Sequence, residues 1–358
     1  MREIRFHLRR KVNPYMKAVV YLEKGQIAVA DVPKPKCPPD EIMVKIEYCA
    51  VCATDVHLVN NGLFGVKEPL IIGHEISGTV VEIGPEAADS GFRLGDKVVA
   101  NPVPYCGTCA HCRRGQFSHC KYAAFNPDNR PMNGMAEYRS YPPKQLYKVP
   151  QEIPFEYACL VEPITTASRG IQQSGLELGS TVCVSGAGSI GLIMINLLKY
   201  RGGTRITVID PVPEKRQLAL ELGAQYVIDP AAQDVVAEAM KITDGLGYDC
   251  VFEMSGAISA AEICPSLVAH CGCIVYFAVY PEDYCLPLNL FDMFNKEARV
   301  QFTFTSPTLY PKSIDLLSRL DMDKLVGPVY DIEDAPRAFK DFNSAKYPKL
   351  LIRCARDS

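Results

Sequence analysis

Gly186-x-Gly188-x-x-Gly191 sits between the strand-like run TVCVS (181–185) and a helical run from Ser189 to Tyr200. Asp210 ends the next strand-like run, nineteen residues after Gly191. Alone, three such glycines are weak evidence. Between a strand and a helix, with an acid at that distance, they constrain the fold more than any other feature of the chain. The first glycine makes the tight turn, the second lets a pyrophosphate approach the backbone, and the third lets helix and strand pack closely. Ser189, Ile190 and Gly191 then open a helix whose N-terminus faces the phosphates. Asp210 would accept hydrogen bonds from the adenine-ribose hydroxyls and repel a 2′-phosphate, so NAD is expected over NADP. Lys215 and Arg216 could each meet a phosphate or face solvent; Lys215 is kept among the coenzyme-binding candidates.

The surrounding pattern agrees. After about residue 170, strand-like and helix-like runs alternate: TVCVS, RITVID, PEKRQLALELG, YVI, VVAEAMKI, DCVFEM, a helical stretch around 259–269 and GCIVYFAV. Such alternation predicts right-handed βαβ units and a parallel sheet. Between residues 17 and 165 the texture is different, strand-like and broken by turns, with EIMVKIEYCAVCA and EISGTVVEIG rich in β-branched residues. A helix around 311–320 and a strand in KLLIRC close the chain. At 358 residues, two domains are expected. Residues 1–15 read as a basic leader with no function of their own.

Fifteen cysteines in a chain of this length, without an apolar export signal, suit a reducing compartment, and a cytoplasmic protein is expected. Cys106, Cys109, Cys112 and Cys120 fall within fifteen residues. Four thiolates so spaced can enclose one zinc tetrahedrally, with no position left open, which makes a structural site. His111 and His119 are read as loop surface, because the cysteines fill the shell. The lobe could instead belong to a zinc-ribbon binding module. The formal net charge of -3 and the absence of interleaved basic residues count against a nucleic-acid partner, and no apolar run is long enough to span a bilayer.

A second constellation is VCATDVH (51–57) with GHE (73–75). Cys52 and His74 are sound zinc ligands. Glu75 could be a third, and Glu162, beside a turn-forming proline in VEPITTA, is another carboxylate. An open site needs three protein ligands plus water or substrate. Asp55 could orient the histidine.

In the order C-A-T-D-x-H, G-H-E, the four-cysteine lobe, E-P and V-S-G-A-G-S-I-G, residues 16–358 resemble the zinc-dependent medium-chain alcohol dehydrogenases, nearest the polyol, sorbitol and threonine branch. The resemblance implies an α/β fold: a Rossmann doubly wound sheet at 165–302, inserted in a GroES-like β-rich catalytic domain made of 1–164 and 303–358. It implies two zinc ions per chain and NAD. Cys52 and His74 match catalytic zinc ligands, and Glu75 and Glu162 match the carboxylates that ligate directly or stand behind the metal. Thr54 and His57 match a proton relay. The implied substrate is a small secondary alcohol or ketone, and the implied assembly a homo-oligomer, a tetramer before a dimer. Two departures bear on the substrate. Sorbitol dehydrogenases follow the relay histidine with tyrosine, here Leu58, and carry a later pocket arginine, here Thr305. With Phe64 and Phe125, these point to a less polar alternative, a bulky alcohol such as a hydroxysteroid.

Overall fold

The computed structural model describes residues 14–62, 69–122, 133–343 and 347–355. Residues 1–13, Phe64 and Phe125 lie outside the described residues.

Six strands, Thr181–Ser185, Thr204–Ile209, Tyr226–Ile228, Tyr248–Glu253, Val268–Tyr276 and Arg299–Phe302, pair all in parallel. Numbered along the chain, they lie in space in the order 3-2-1-4-5-6, the Rossmann order. Alternate side chains enter opposite layers, as a period of two requires. Val182 and Val184 pack on one face with helices Val161–Ser174 and Ser189–Arg201, and Cys183 packs on the other with helices Val235–Ile242 and Ile258–Leu267. A sheet covered on both faces explains why successive residues of the central strands, such as Val182, Cys183 and Val184, are all apolar and buried. Helix Ser189–Arg201 is buried continuously from Gly191 to Leu198, and Asn196 is the one polar side chain in that run.

The rest is mainly antiparallel. Ile42–Ala50 pairs with Glu75–Ile83 on one side and with Leu351–Arg353 and Tyr138–Tyr141 on the other. The C-terminal strand therefore belongs to a sheet built mostly from the first 150 residues, and the parallel sheet lies between them in sequence. A three-stranded sheet, with Tyr15–Glu23 at its centre, completes this part.

Two elements differ from the sequence reading. Helix Ala53–Asn61 lies in the stretch read as strand-like. Its N-cap is Cys52, whose N–H donates to the Asp55 carboxylate (3.1 Å), so the third helical residue satisfies an otherwise unpaired N-terminal donor. Helix Val161–Ser174 begins at the expected turn. Pro163 sits in its first turn, where a missing N–H costs nothing. The expected domain boundary at 164/165 thus falls inside a helix. Among the described residues, no helix is long and apolar enough to cross a membrane.

Candidate active site

Thiolate, imidazole and carboxylate atoms of Cys52, His74 and Glu75 lie within 4.8 Å of one another. Each comes from a different local device. Cys52 caps helix Ala53–Asn61, His74 follows the turn at Gly73, and Glu75 starts the strand Glu75–Ile83. Asp55 ties the first two together. Its Oδ2 accepts from Cys52 N–H, and its Oδ1 accepts from Gly73 N–H and lies 3.2 Å from His74 Nδ1. An Nδ1–H tautomer donating to Asp55 leaves the Nε2 lone pair as a ligand atom. Burial lowers the His74 pKa, but the Asp55 and Cys52 charges more than reverse it and hold it well above its ordinary value. The same negative surroundings suit a divalent cation. Sulfur, nitrogen and carboxylate oxygen at such spacing fit zinc.

Glu162, in the first turn of Val161–Ser174, stands outside that group of three. Burial pushes its carboxyl up to about 7, against the lowering influence of His74. Thr54 is partly exposed and His57 exposed, three residues apart and so on neighbouring positions of one helix face. Leu58 does not face a substrate: it is fully buried in the β-rich core. Thr305 has a left-handed backbone (φ 49°) and a buried hydroxyl with no hydrogen-bond partner among the described residues.

The sequence reading missed Lys349. Its Nζ lies 2.7 Å from the Glu75 carboxylate, with the two side chains 2% and 0% exposed. Burial would lower its pKa, but Glu75 more than offsets this, so the ammonium stays charged. The pair joins positions 274 apart in the chain; a lone lysine beside a strand carries no local signal of such a role.

A cleft of about 700 Å3 adjoins Cys52 and is lined by Gly186, Gly188, Ser189, Ile190, Asp210 and Lys215. The three glycines sit in different surroundings. Gly186 has φ 102°, and a Cβ there would meet Ser255 at 2.8 Å. A Cβ on Gly191 would meet Gly186 O at 2.0 Å, so helix and strand could not pack, while the space at Gly188 is open. Asp210 also shapes the turn: Oδ2 accepts from Ala187 N–H (2.8 Å) and Oδ1 from Val212 N–H (2.9 Å). Lys215 lines the cleft. Arg216 is not a solvated cation, since it pairs with Asp229 at 2.9 Å and donates to Asp210 O.

The second metal candidate is equally compact. Sulfurs of Cys106, Cys109, Cys112 and Cys120 lie within 4.8 Å of one another. Cys106 and Cys112 are 4.0 Å apart, and Cys109 and Cys120 3.9 Å. Four sulfurs about 2.3 Å from a tetrahedral zinc stand about 3.8 Å apart, so the lobe fits that ion. Donors from Thr108 and Cys109 aim at Cys106 Sγ and lower its pKa to about 5, towards the thiolate a metal requires. His111 and His119 are exposed, the latter stacked on Phe304. Cys109→Ser should lower bound zinc by one ion per chain and lower the thermal midpoint. The remaining ion should stay with Cys52 and His74, as metal analysis of a Cys52→Ser, Cys109→Ser pair would check.

Comparison with known proteins shows the family. The alcohol dehydrogenase GroES-like domain model matches residues 38–151, and the zinc-binding dehydrogenase model matches residues 189–319. The L-threonine 3-dehydrogenase of Pyrococcus horikoshii is 36% identical, over 76% of this chain and 79% of that protein. The chain belongs to the zinc-dependent medium-chain alcohol dehydrogenase family. A sorbitol dehydrogenase of Bacillus subtilis is 27% identical, over 91% of this dehydrogenase and 93% of its own length. A zinc-binding dehydrogenase structure from Sinorhizobium meliloti, bound to NADP, matches with a TM-score of 0.89 and 30% identity, over 95% of this chain and 100% of that one. This dehydrogenase is therefore an α/β enzyme with GroES-like and Rossmann parts. It is a zinc-dependent oxidoreductase of alcohols that uses a nicotinamide coenzyme. A zinc-ribbon module without catalysis is excluded.

Proposed function

We propose that this dehydrogenase moves a hydride between NAD(H) and a small secondary alcohol or its ketone, as polyol dehydrogenases do. The observation that carries the reading is the position of Cys52, which both belongs to the Cys52–His74–Glu75 group and lines the cleft of the glycine turn. Zinc and the dinucleotide, when bound, supply Lewis acidity and a hydride acceptor. The chain's own residues do the rest. Cys52, His74 and Glu75 hold the metal, with Asp55 fixing the His74 ring. Glu162, whose carboxyl is held near neutrality, would exchange places with Glu75 or act through water. Thr54 Oγ1 would take the alcohol proton as it gives up its own to the ribose hydroxyl of the bound coenzyme, and His57, exposed on the same helix, would take the proton from that hydroxyl and pass it to solvent. Thr54→Val should lower kcat about 100- to 10,000-fold, the usual contribution of such a group; stopped-flow assay of NADH formation checks it.

The division into 1–164 with 303–358 and 165–302 is retained, as are two zinc ions per chain. NAD is the coenzyme of this reading because Asp210 faces the cleft; the NADP of the Sinorhizobium protein belongs to that protein. Asp210→Ala should shift the preference at least tenfold towards NADP and loosen NAD, since Ala187 N–H also loses its acceptor. Coenzyme titrations check both effects.

A homo-oligomer, a tetramer before a dimer, fits the surface. Leu290, Phe291, Phe294 and Phe302 are each more than 60% exposed beside the sheet's edge strand Arg299–Phe302, and apolar patches of this kind mark association surfaces. Fifteen free cysteines suit the cytoplasm. The less polar substrate reading loses Leu58, which is core. A panel of polyols, threonine-like amino alcohols and apolar secondary alcohols tests the substrate class. The highest kcat/KM is expected for a small hydroxylated alcohol, and a bulky apolar alcohol in first place would overturn it.

A further inference from the structure

Glu253 ends the fourth strand of the parallel sheet and is fully buried. Among the described residues no lysine, arginine or histidine pairs with it, although buried charges are normally paired. Four neutral donors hold it instead. Oε1 accepts from Ser255 N–H (2.9 Å) and the Ser255 hydroxyl, Gly256 N–H reaches both oxygens at 3.3 Å, and Oε2 accepts from the Tyr280 hydroxyl. Donors on every side are the pattern of an ionised carboxylate, which can only accept. Burial, and then the bond to Glu253, push the Tyr280 pKa far up, so that hydroxyl keeps its proton.

The place of this charge gives it a use. Met254 and Ser255 line the coenzyme cleft, and Ser255 packs against Gly186 of the glycine turn. In a sheet of order 3-2-1-4-5-6, a dinucleotide crosses where the order reverses, between strands one and four. Asp210 follows strand two, so strands one to three take the adenosine half and strands four to six the nicotinamide half. That ring is cationic when oxidised and neutral when reduced. A fixed negative charge in a water-poor interior favours only the cationic form.

We infer that the buried Glu253 carboxylate, held by Ser255, Gly256 and Tyr280, biases the cleft towards oxidised nicotinamide coenzyme. It acts on the coenzyme's charge and takes no part in proton or hydride transfer. The inference rests on the nicotinamide reading of the cleft.

Dissociation constants for NAD+ and NADH test it, NADH by its fluorescence and NAD+ by competition, with NADP+ and NADPH as a second pair carrying the same ring. Glu253→Gln keeps the shape and removes the charge. The ratio Kd(NAD+)/Kd(NADH) should rise on the order of threefold to tenfold, as for loss of one unit charge across a partly screened interior. Tyr280→Phe and Ser255→Ala keep the charge but strip a donor from it, so both should lower the ratio. Equal changes in both constants, or none, in a folded Glu253→Gln protein would overturn the inference and leave the carboxylate as turn support. If circular dichroism shows Glu253→Gln unfolded, the other two variants decide, and an unchanged or raised ratio in both overturns it. Failure of the parent protein to bind either coenzyme pair would instead sink the nicotinamide reading itself.

Discussion

Cys52→Ser should leave no measurable turnover while NADH binds within about twofold of the parent. A serine hydroxyl stays protonated near neutrality and is a poor substitute for a thiolate, the form in which cysteine binds metal. The coenzyme does not depend on that bond. Its phosphates would meet backbone groups of the Gly186–Gly191 turn, and Asp210 follows a neighbouring strand of the parallel sheet. Cys52 belongs to a different sheet's surroundings, on the cap of Ala53–Asn61. Chemistry and coenzyme affinity should therefore separate in one variant. Parallel steady-state kinetics and NADH fluorescence titration check this, and a loss of NADH binding equal to the loss of rate would show that the two parts are not independent.

Lys349→Met should be the most destabilising of the changes considered. The Lys349–Glu75 pair is 2.7 Å long and almost wholly out of water. Removing one member of a buried pair strands the other, at a cost of about 3–5 kcal/mol. The loss should be largest in chelator-treated protein, where no metal stands near Glu75 to take over part of the ammonium's role. Adding Glu75→Gln should recover part of the stability, since no charge is then left unpaired. Denaturant midpoints of the single and double variants, with and without zinc, measure each step. Equal stability of Lys349→Met and parent in the metal-free state would mean that the pair is not a charge compensation.

What could be read from the sequence, and what could not, follows from how far apart the interacting residues lie. The glycine turn was legible because its restrictions are local: Gly191 must lack a side chain because Gly186 O, five residues away, fills that space. The cysteine lobe was legible for the same reason, with three ligands on one short loop. Cys52 and His74 were recoverable only jointly, and Asp55 as their link could be suggested because it lies three residues from one of them. Helix Ala53–Asn61 was missed because it is short, with buried positions Asp55, Val56, Leu58 and Val59 that mix a carboxylate into the apolar face. That carboxylate is there for Cys52, Gly73 and His74, so function spoiled the helical pattern. Leu58 was assigned to a substrate wall by its position next to His57, yet successive helix residues point in different directions, and it points into the core. Lys349 and Glu253 gave no local sign at all. Glu253 is a charged residue at a strand end and Lys349 one two residues before a strand, and each reads as surface until the tertiary structure closes over it.

The most direct test of the whole account is zinc-dependent coenzyme reduction. Protein of measured zinc content is assayed with NAD+ and the secondary-alcohol panel, then stripped with a chelator, assayed again, and reloaded. Because Cys52, His74 and Glu75 form a sulfur–nitrogen–oxygen set, zinc and not magnesium should restore it. The expected result is NADH formation with at least one alcohol, its loss on stripping, and its recovery with zinc alone. An undiminished rate of NADH formation in protein shown to hold no zinc would contradict it.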